Sequence, residues 1–268
     1  MEFLSLLGGT VLLRPYVFVF LACYLTLAIW HMGRRRTLIF TVLAYCVAFL
    51  SEYSSTRNGF PYGFYSYIET TRDQELWVAN VPFMDSLSYT FLTYISYTMS
   101  LFVYSPLRVN GWDARWGANT HVRHTLKTVL TGAVFFMLLD VVIDPVAFRG
   151  DRWFLGKIYT YQEAGEYFNI PLTNFGGWLL VGTVVLFLFT RIDKAFGGYS
   201  AERDGGRREV PAQALLGPGV YFGVLAFNLA VTFYIGEVVL GLCGMALTGA
   251  LAGIVVFKLK RPEAFTTS

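Results

Sequence analysis

Charge is scarce in this chain. Asp, Glu, Lys and Arg make up 15% of its 268 residues, while 55% are hydrophobic and 18% aromatic. A soluble domain carries about 25% charged residues, so a soluble globular fold is excluded in favour of a polytopic membrane protein. The net charge of +3 is too small and too scattered to suggest nucleic acid as a partner. Cysteine is rare too, and Cys23, Cys46 and Cys243 all lie in apolar stretches, which argues against a disulfide framework or a thiolate metal site. The only histidines, His31, His121 and His124, are too few and too basic in setting for a di-iron centre. No Gly-x-Gly-x-x-Gly follows a strand, which excludes a built-in nucleotide-cofactor domain. The last apolar segment has no lysine before Lys258, so a retinal Schiff base has no anchor. No basic stretch followed by a small-residue cleavage site opens the chain, and no cleaved signal peptide is expected. No resident cofactor or metal is expected.

What is present is a series of apolar runs. Seven spans are expected, at about 11–30, 38–54, 86–106, 125–143, 174–190, 212–234 and 237–257. The last two come from one apolar run that is split at Gly236-Glu237, because about 46 helical residues would measure about 69 Å, more than twice the hydrocarbon thickness. Seven spans place Arg34 to Arg36, Arg108, Arg115, Arg123, Lys127, Arg191, Lys194, Arg203, Arg207, Arg208, Lys258, Lys260 and Arg261 on one side. Arg14, Arg57, Arg72, Arg149, Arg152 and Lys157 fall on the other. This asymmetry predicts a cytoplasmic C-terminus and an outside N-terminus. The expectation is therefore an all-α, multi-pass transmembrane bundle in the cell membrane, one integral membrane domain over residues 1–268.

In that topology the membrane-proximal acids gather at one level. The stretch Phe-Met-Leu-Leu-Asp-Val-Val-Ile-Asp-Pro at 136–145 puts Asp140 and Asp144 on one helix face, and Pro145 is expected to end the helix at Asp144. Glu52, Asp85 and Glu237 are expected at the same outer interface, with Asn174 and Trp178 opening the fifth span beside them. Single charges near span ends are tolerated, but a convergent set suggests a cavity. A possible repeat aligns Asn80-Val81-Pro82, Asp85 and Tyr89 with Asn169-Ile170-Pro171, Asn174 and Trp178. It implies two parallel hairpins facing each other across a shared site.

The outer loops hold many rings, from Phe60, Tyr62, Phe64, Tyr65 and Tyr67 to Trp77, Trp153, Tyr159, Tyr161 and Tyr167. They read either as an interfacial belt or as a cleft wall facing a cation-forming substrate. The third span carries Ser86, Tyr89, Thr93, Ser96, Ser100 and Tyr104 at helical spacing. That stripe is read mainly as helix packing, like Gly219-x-x-x-Gly223 and Gly249-x-x-x-Gly253.

Carboxylates, amides and rings in contact with lipid suit acid-initiated chemistry on an isoprenoid double bond. A buried acid beside a second carboxylate keeps its proton at neutral pH. It protonates an alkene, rings stabilise the carbocation, and water captures it. On this reading Asp140 or Asp144 donates the proton, Glu52 or Asp85 orients water, and Asn174 and Tyr62 hydrogen-bond to water or product. Trp178, Tyr65, Tyr89 and Glu237 are expected to face the substrate. Two other readings compete. One is a proton-coupled carrier whose acids titrate during transport; the other is a prenyl transferase whose acids hold Mg²⁺ against a diphosphate.

Several of these residues form a recognisable pattern. Glu52, then Asn58-Gly59-Phe60-Pro61-Tyr62-Gly63, Val81-Pro82, Asp140-x-x-x-Asp144-Pro145 and Gly165-x-Tyr167-Phe168-x-Ile170-Pro171-x-x-Asn174-x-x-Gly177-Trp178 resemble the integral-membrane carotenoid hydratases. That family includes the bacterial carotenoid 1,2-hydratases and the archaeal bisanhydrobacterioruberin hydratases. The resemblance spans roughly residues 50–180; the first and last spans match only as hydrophobic helices. It implies cofactor-free addition of water across the terminal C1–C2 double bond of an acyclic end group, as in lycopene or γ-carotene, giving a tertiary alcohol. The implied partners are a carotenoid in the bilayer, water and other enzymes of carotenoid synthesis.

Overall fold

The chain was analysed as a computed structural model that describes residues 2–117, 122–197 and 210–266. His121, Arg203, Arg207 and Arg208 lie outside the described residues. A short helix α1 (Glu2–Leu13) leads into α2 (Pro15–Met32) and α3 (Arg34–Asn58). After the outer-loop strands come α4 (Phe83–Tyr104), α5 (Leu126–Ala147), α6 (Leu172–Ala195), α7 (Gln213–Tyr234) and α8 (Val238–Lys260). The seven expected spans correspond to α2 through α8, and α1 was not foreseen.

The breaks follow local chemistry. Pro15 takes the first position of α2, where its missing N–H costs nothing. Gly59, in the left-handed region at φ 78°, caps α3 and returns its N–H to the Ser55 carbonyl. α4 and α6 each follow an extended proline, Pro82 and Pro171. The apolar run near the C-terminus turns at Gly236 (φ 79°), where the split was expected.

α4 stands at the centre of the bundle. Its contacts place α2, α3, α6, α5 and α7 around it in that order, α7 closing the ring back onto α2, with α8 packed outside α7 and α5. Among the described residues six helices, α2, α3 and α5 to α8, are long and apolar enough to cross a membrane. α4 has comparable length but carries the hydroxyl stripe, and it is buried along nearly its whole circumference. Enclosure explains the composition, since a helix that never meets lipid can carry polar groups that bond within the protein. Ser100 donates to the Thr128 carbonyl at 2.7 Å and Tyr104 pairs with Thr131 at 2.9 Å, both on α5.

Two local expectations are corrected. Pro145 does not stop α5 at Asp144; the helix runs on to Ala147, and the Phe148 N–H bonds the Asp144 carbonyl at 2.8 Å. A proline one turn from a helix end removes one bond near a terminus that is losing its ladder anyway, so the local bias is outweighed. The two Gly-x-x-x-Gly motifs do not pack within the chain. Nothing lies within 4 Å of a Cβ built on Gly219, Gly223, Gly249 or Gly253. Close approaches between helices occur instead at Gly132, Gly182, Gly217 and Gly244.

Short strand pairs lie in the loops of the helical bundle. β1 (Tyr65–Tyr67) pairs antiparallel with β6 (Tyr159–Tyr161), while β2 (Trp77–Val78) pairs with β3 (Val81–Pro82). At the opposite end β4 (Leu107–Asn110) pairs with β5 (Asp113–Trp116).

Candidate active site

The acid-bearing ends of α3, α4 and α5 and the start of α6 surround a cavity of about 120 Å³. Glu52, Asp85, Asp140 and Asp144 all line it, together with Asn174, Trp178, Tyr62, Tyr65 and Tyr89. Nine of the ten predicted site residues are therefore brought together. A polar space of that size is large enough to hold water beside the acids.

One half of the site is built on α5 and α6. The Asn174 amide gives one hydrogen to Asp140 Oδ2 at 2.7 Å and the other to Asp144 Oδ2 at 3.0 Å. Asp144 also accepts from the Tyr161 hydroxyl at 3.2 Å and from Tyr159, whose hydroxyl meets Oδ1. Burial first, and then the charge of Asp144, holds the phenols of Tyr159 and Tyr161 well above their usual pKa, so both remain donors. Both oxygens of Asp144 are thus engaged by donors. Asp140 is different: it is fully buried, and its Oδ1 has no hydrogen-bond partner among the described residues. An ionised carboxylate with a bare buried oxygen is costly, whereas a protonated one offers a hydrogen there.

The other half is built on α3 and α4. Glu52 accepts from Ser86, and Tyr67 lies 3.2 Å from Glu52 Oε1 and 2.6 Å from Asp85 Oδ2. Burial, then Asp85 and Glu52, keeps the Tyr67 phenol protonated by raising its pKa. A phenol has one hydrogen to give, so both contacts are hydrogen bonds only when one of the two acids carries a proton. A proton on either acid would be shared between the two through Tyr67.

The two halves meet across the cavity. Asp85 and Asn174, the aligned residues, each anchor one half, and Tyr89 and Trp178 stack at 4.6 Å with an interplanar angle of 21°. Phe136 abuts Trp178 at 4.6 Å. Across the top, the β1–β6 register sets Tyr65 opposite Tyr161 and Tyr67 opposite Tyr159. Alternation along a strand puts all four rings on one face, toward the cavity. From the sequence, Tyr67, Tyr159 and Tyr161 stood open between an aromatic belt and a cleft wall and Ser86 read mainly as packing, and none of the four was named as a site residue. The twice-repeated Tyr-x-Tyr was the signal for a strand with a shared aromatic face.

Tyr62 contributes its ring, while its hydroxyl is paired with Ser51 at 2.9 Å. The ring is pinned by Gly177, where a Cβ would lie 2.4 Å from Tyr62 Cδ1 and 3.0 Å from the Pro61 backbone. Gly177→Ala is expected to destabilise the protein by about 1–3 kcal/mol through overpacking. Comparing unfolding midpoints in detergent checks it.

Glu237 is the exception. It lies at the same end of the bundle but does not line the cavity; Arg152 and Arg149 hold it, the latter at 3.2 Å. Burial alone would raise its pKa, but the two guanidiniums outweigh that and lower it. It forms a charged clasp between α8 and the loop after α5, outside the cavity. At the far end His31 bonds Tyr94 and Arg123, and His124 bonds Asp193.

Fold and site together define a polytopic membrane protein whose acids are gathered in one aromatic-walled cavity at an end of the bundle. The profile of the family described as carotenoid biosynthesis protein matches residues 9–251, and the chain belongs to that family. The match extends well beyond residues 50–180, so the first and last spans are part of the family likeness and not generic helices. The chain is also similar to bisanhydrobacterioruberin hydratase of Haloarcula japonica, 26% identical over 253 residues that cover 92% of this chain and 75% of that one. No solved structure matches.

Proposed function

We propose that this carotenoid biosynthesis protein is a hydratase that adds water to the terminal C1–C2 double bond of an acyclic carotenoid end group. The observation that carries the proposal is the unpartnered, buried Oδ1 of Asp140 beside a carboxylate saturated with donors. Asp140, held as the acid, transfers its proton to C2 and leaves a tertiary cation at C1. The Tyr89, Trp178 and Tyr65 rings face that charge. Water adds to C1 and yields its second proton to the Glu52–Tyr67–Asp85 set, which has room for one. The net change is alkene plus water to tertiary alcohol, and the proton returns to Asp140 through cavity water. Asn174 keeps Asp140 and Asp144 in register.

On the topology expected from the basic residues, the cavity faces the outer side of the cell membrane, where one end of a bilayer-length carotenoid reaches. Among the described residues no arginine or lysine lines the cavity, which disfavours a diphosphate substrate. Expression in a lycopene-producing host, followed by mass spectrometry, should give a product heavier by one water. Unchanged lycopene and γ-carotene at normal protein levels would refute the proposal, and flux across vesicles without covalent change would favour a carrier.

A further inference from the structure

The cavity also has an apolar arm that the acid chemistry leaves unused. It runs from Asp140 and Asp144 toward α2 and α7, where Val17, Phe20, Leu92, Val224 and Phe227 line it. α2 and α7 form the seam that closes the ring around α4, and it is the most sparsely packed of the five seams. Side-chain rings fill it: Phe227 stacks on Tyr16 at 5.3 Å and meets Phe20 edge-on at 6.1 Å, while Phe20 stacks on Phe91 at 6.0 Å. Phe20 and Phe227 are only half-buried, whereas Val17 and Val224 behind them are buried.

A bilayer-length carotenoid is far larger than a cavity of about 120 Å³, so most of it has to lie outside the space beside the acids. The remaining chain has to leave sideways, because α4 fills the centre of the bundle below. We infer that the α2–α7 seam is a lateral portal and binding groove for the conjugated chain of the substrate. Val17 and Val224 are its walls, and the Phe20–Phe227 pair is its gate. A flat, rigid polyene suits a slot lined by rings and branched aliphatic side chains, and rotation of two half-buried rings opens the slot without moving a helix. The inference rests on the hydratase reading for the identity of the end group, but the groove itself depends only on an extended polyene.

The test compares two substrates and one binding signal. Val224→Phe narrows the groove away from the acids. It is expected to lower both the carotenoid that co-purifies with the protein and the hydration of lycopene by about tenfold, the scale of an overpacking penalty. Hydration of a short acyclic isoprenoid with the same terminal double bond should stay within about twofold, because it needs no groove and an unaltered acid site leaves its barrier unchanged. Phe227→Trp, an aromatic exchange at a half-buried position, repeats the test if Val224→Phe fails to accumulate. An equal loss on both substrates, or no loss on either, would overturn the portal. If wild type hydrates nothing but binds the polyene and Val224→Phe does not, the hydratase reading fails while the portal stands.

Discussion

Asp140→Asn is expected to lower carotenoid hydration by about 10²–10⁴-fold, the usual contribution of a positioned general acid. That corresponds to about 3–5 kcal/mol in the barrier. The substitution preserves shape and the contact with Asn174, since an amide carbonyl accepts from Asn174 Nδ2 as Asp140 Oδ2 does at 2.7 Å. It removes only the transferable proton. Product formation in lycopene-producing membranes, normalised to protein level and to bound carotenoid, separates lost chemistry from lost folding. Asp144→Asn should behave differently. Its amide would face the Tyr159, Tyr161 and Asn174 donors with hydrogens of its own, so stability should fall along with activity. Normal hydration by a well-expressed Asp140→Asn variant would remove Asp140 from the role of acid.

The second large effect concerns stability. Arg14 sits in the break between α1 and α2 and is almost completely buried, as is Glu75. The two form a bidentate pair, Nη2–Oε1 at 3.1 Å and Nε–Oε2 at 3.3 Å, and Arg14 also donates to the Leu155 carbonyl. Leu155 lines the cavity, so this pair ties the N-terminal helices and both outer loops to the roof of the site. Arg14→Ala leaves Glu75 buried without its counter-charge and should destabilise the protein by about 3–5 kcal/mol. Arg14→Met with Glu75→Leu should recover most of that loss, because an apolar pair needs no desolvation. Detergent unfolding of the three proteins checks the order, and a double variant as unstable as Arg14→Ala would contradict it.

Some of the site was open to reading from residue order alone. Charges are rare in apolar spans, so Glu52, Asp85, Asp140 and Asp144 stood out, and span alternation put them at one end. Asp140 and Asp144 share a helix face because of the helical repeat, which is a local property. Glu237 looked equivalent by the same local rule. Its exclusion comes from Arg149 and Arg152, partners that only the docking of α8 against the loop after α5 supplies.

The roles of the two aspartates diverge for a similar reason. In sequence they are a symmetrical pair; in the fold Tyr159 and Tyr161 reach Asp144 alone because β6 pairs with β1 across the cavity. Such pairing joins segments remote in the chain, and no periodicity within either segment encodes it.

Hydrophobicity and local chemistry by themselves determined the membrane setting, the seven long helices, their breaks at proline and glycine, and the gathering of acids at one end. These depend on transfer from water and on backbone geometry, which act residue by residue. Tertiary structure decided that α4 is the enclosed helix, that Asp140 keeps a bare oxygen while Asp144 is saturated, and that the ring closes weakly between α2 and α7. Each of those is set by which side chains meet across different elements, and hydrogen-bond satisfaction and packing exist only once the elements have met.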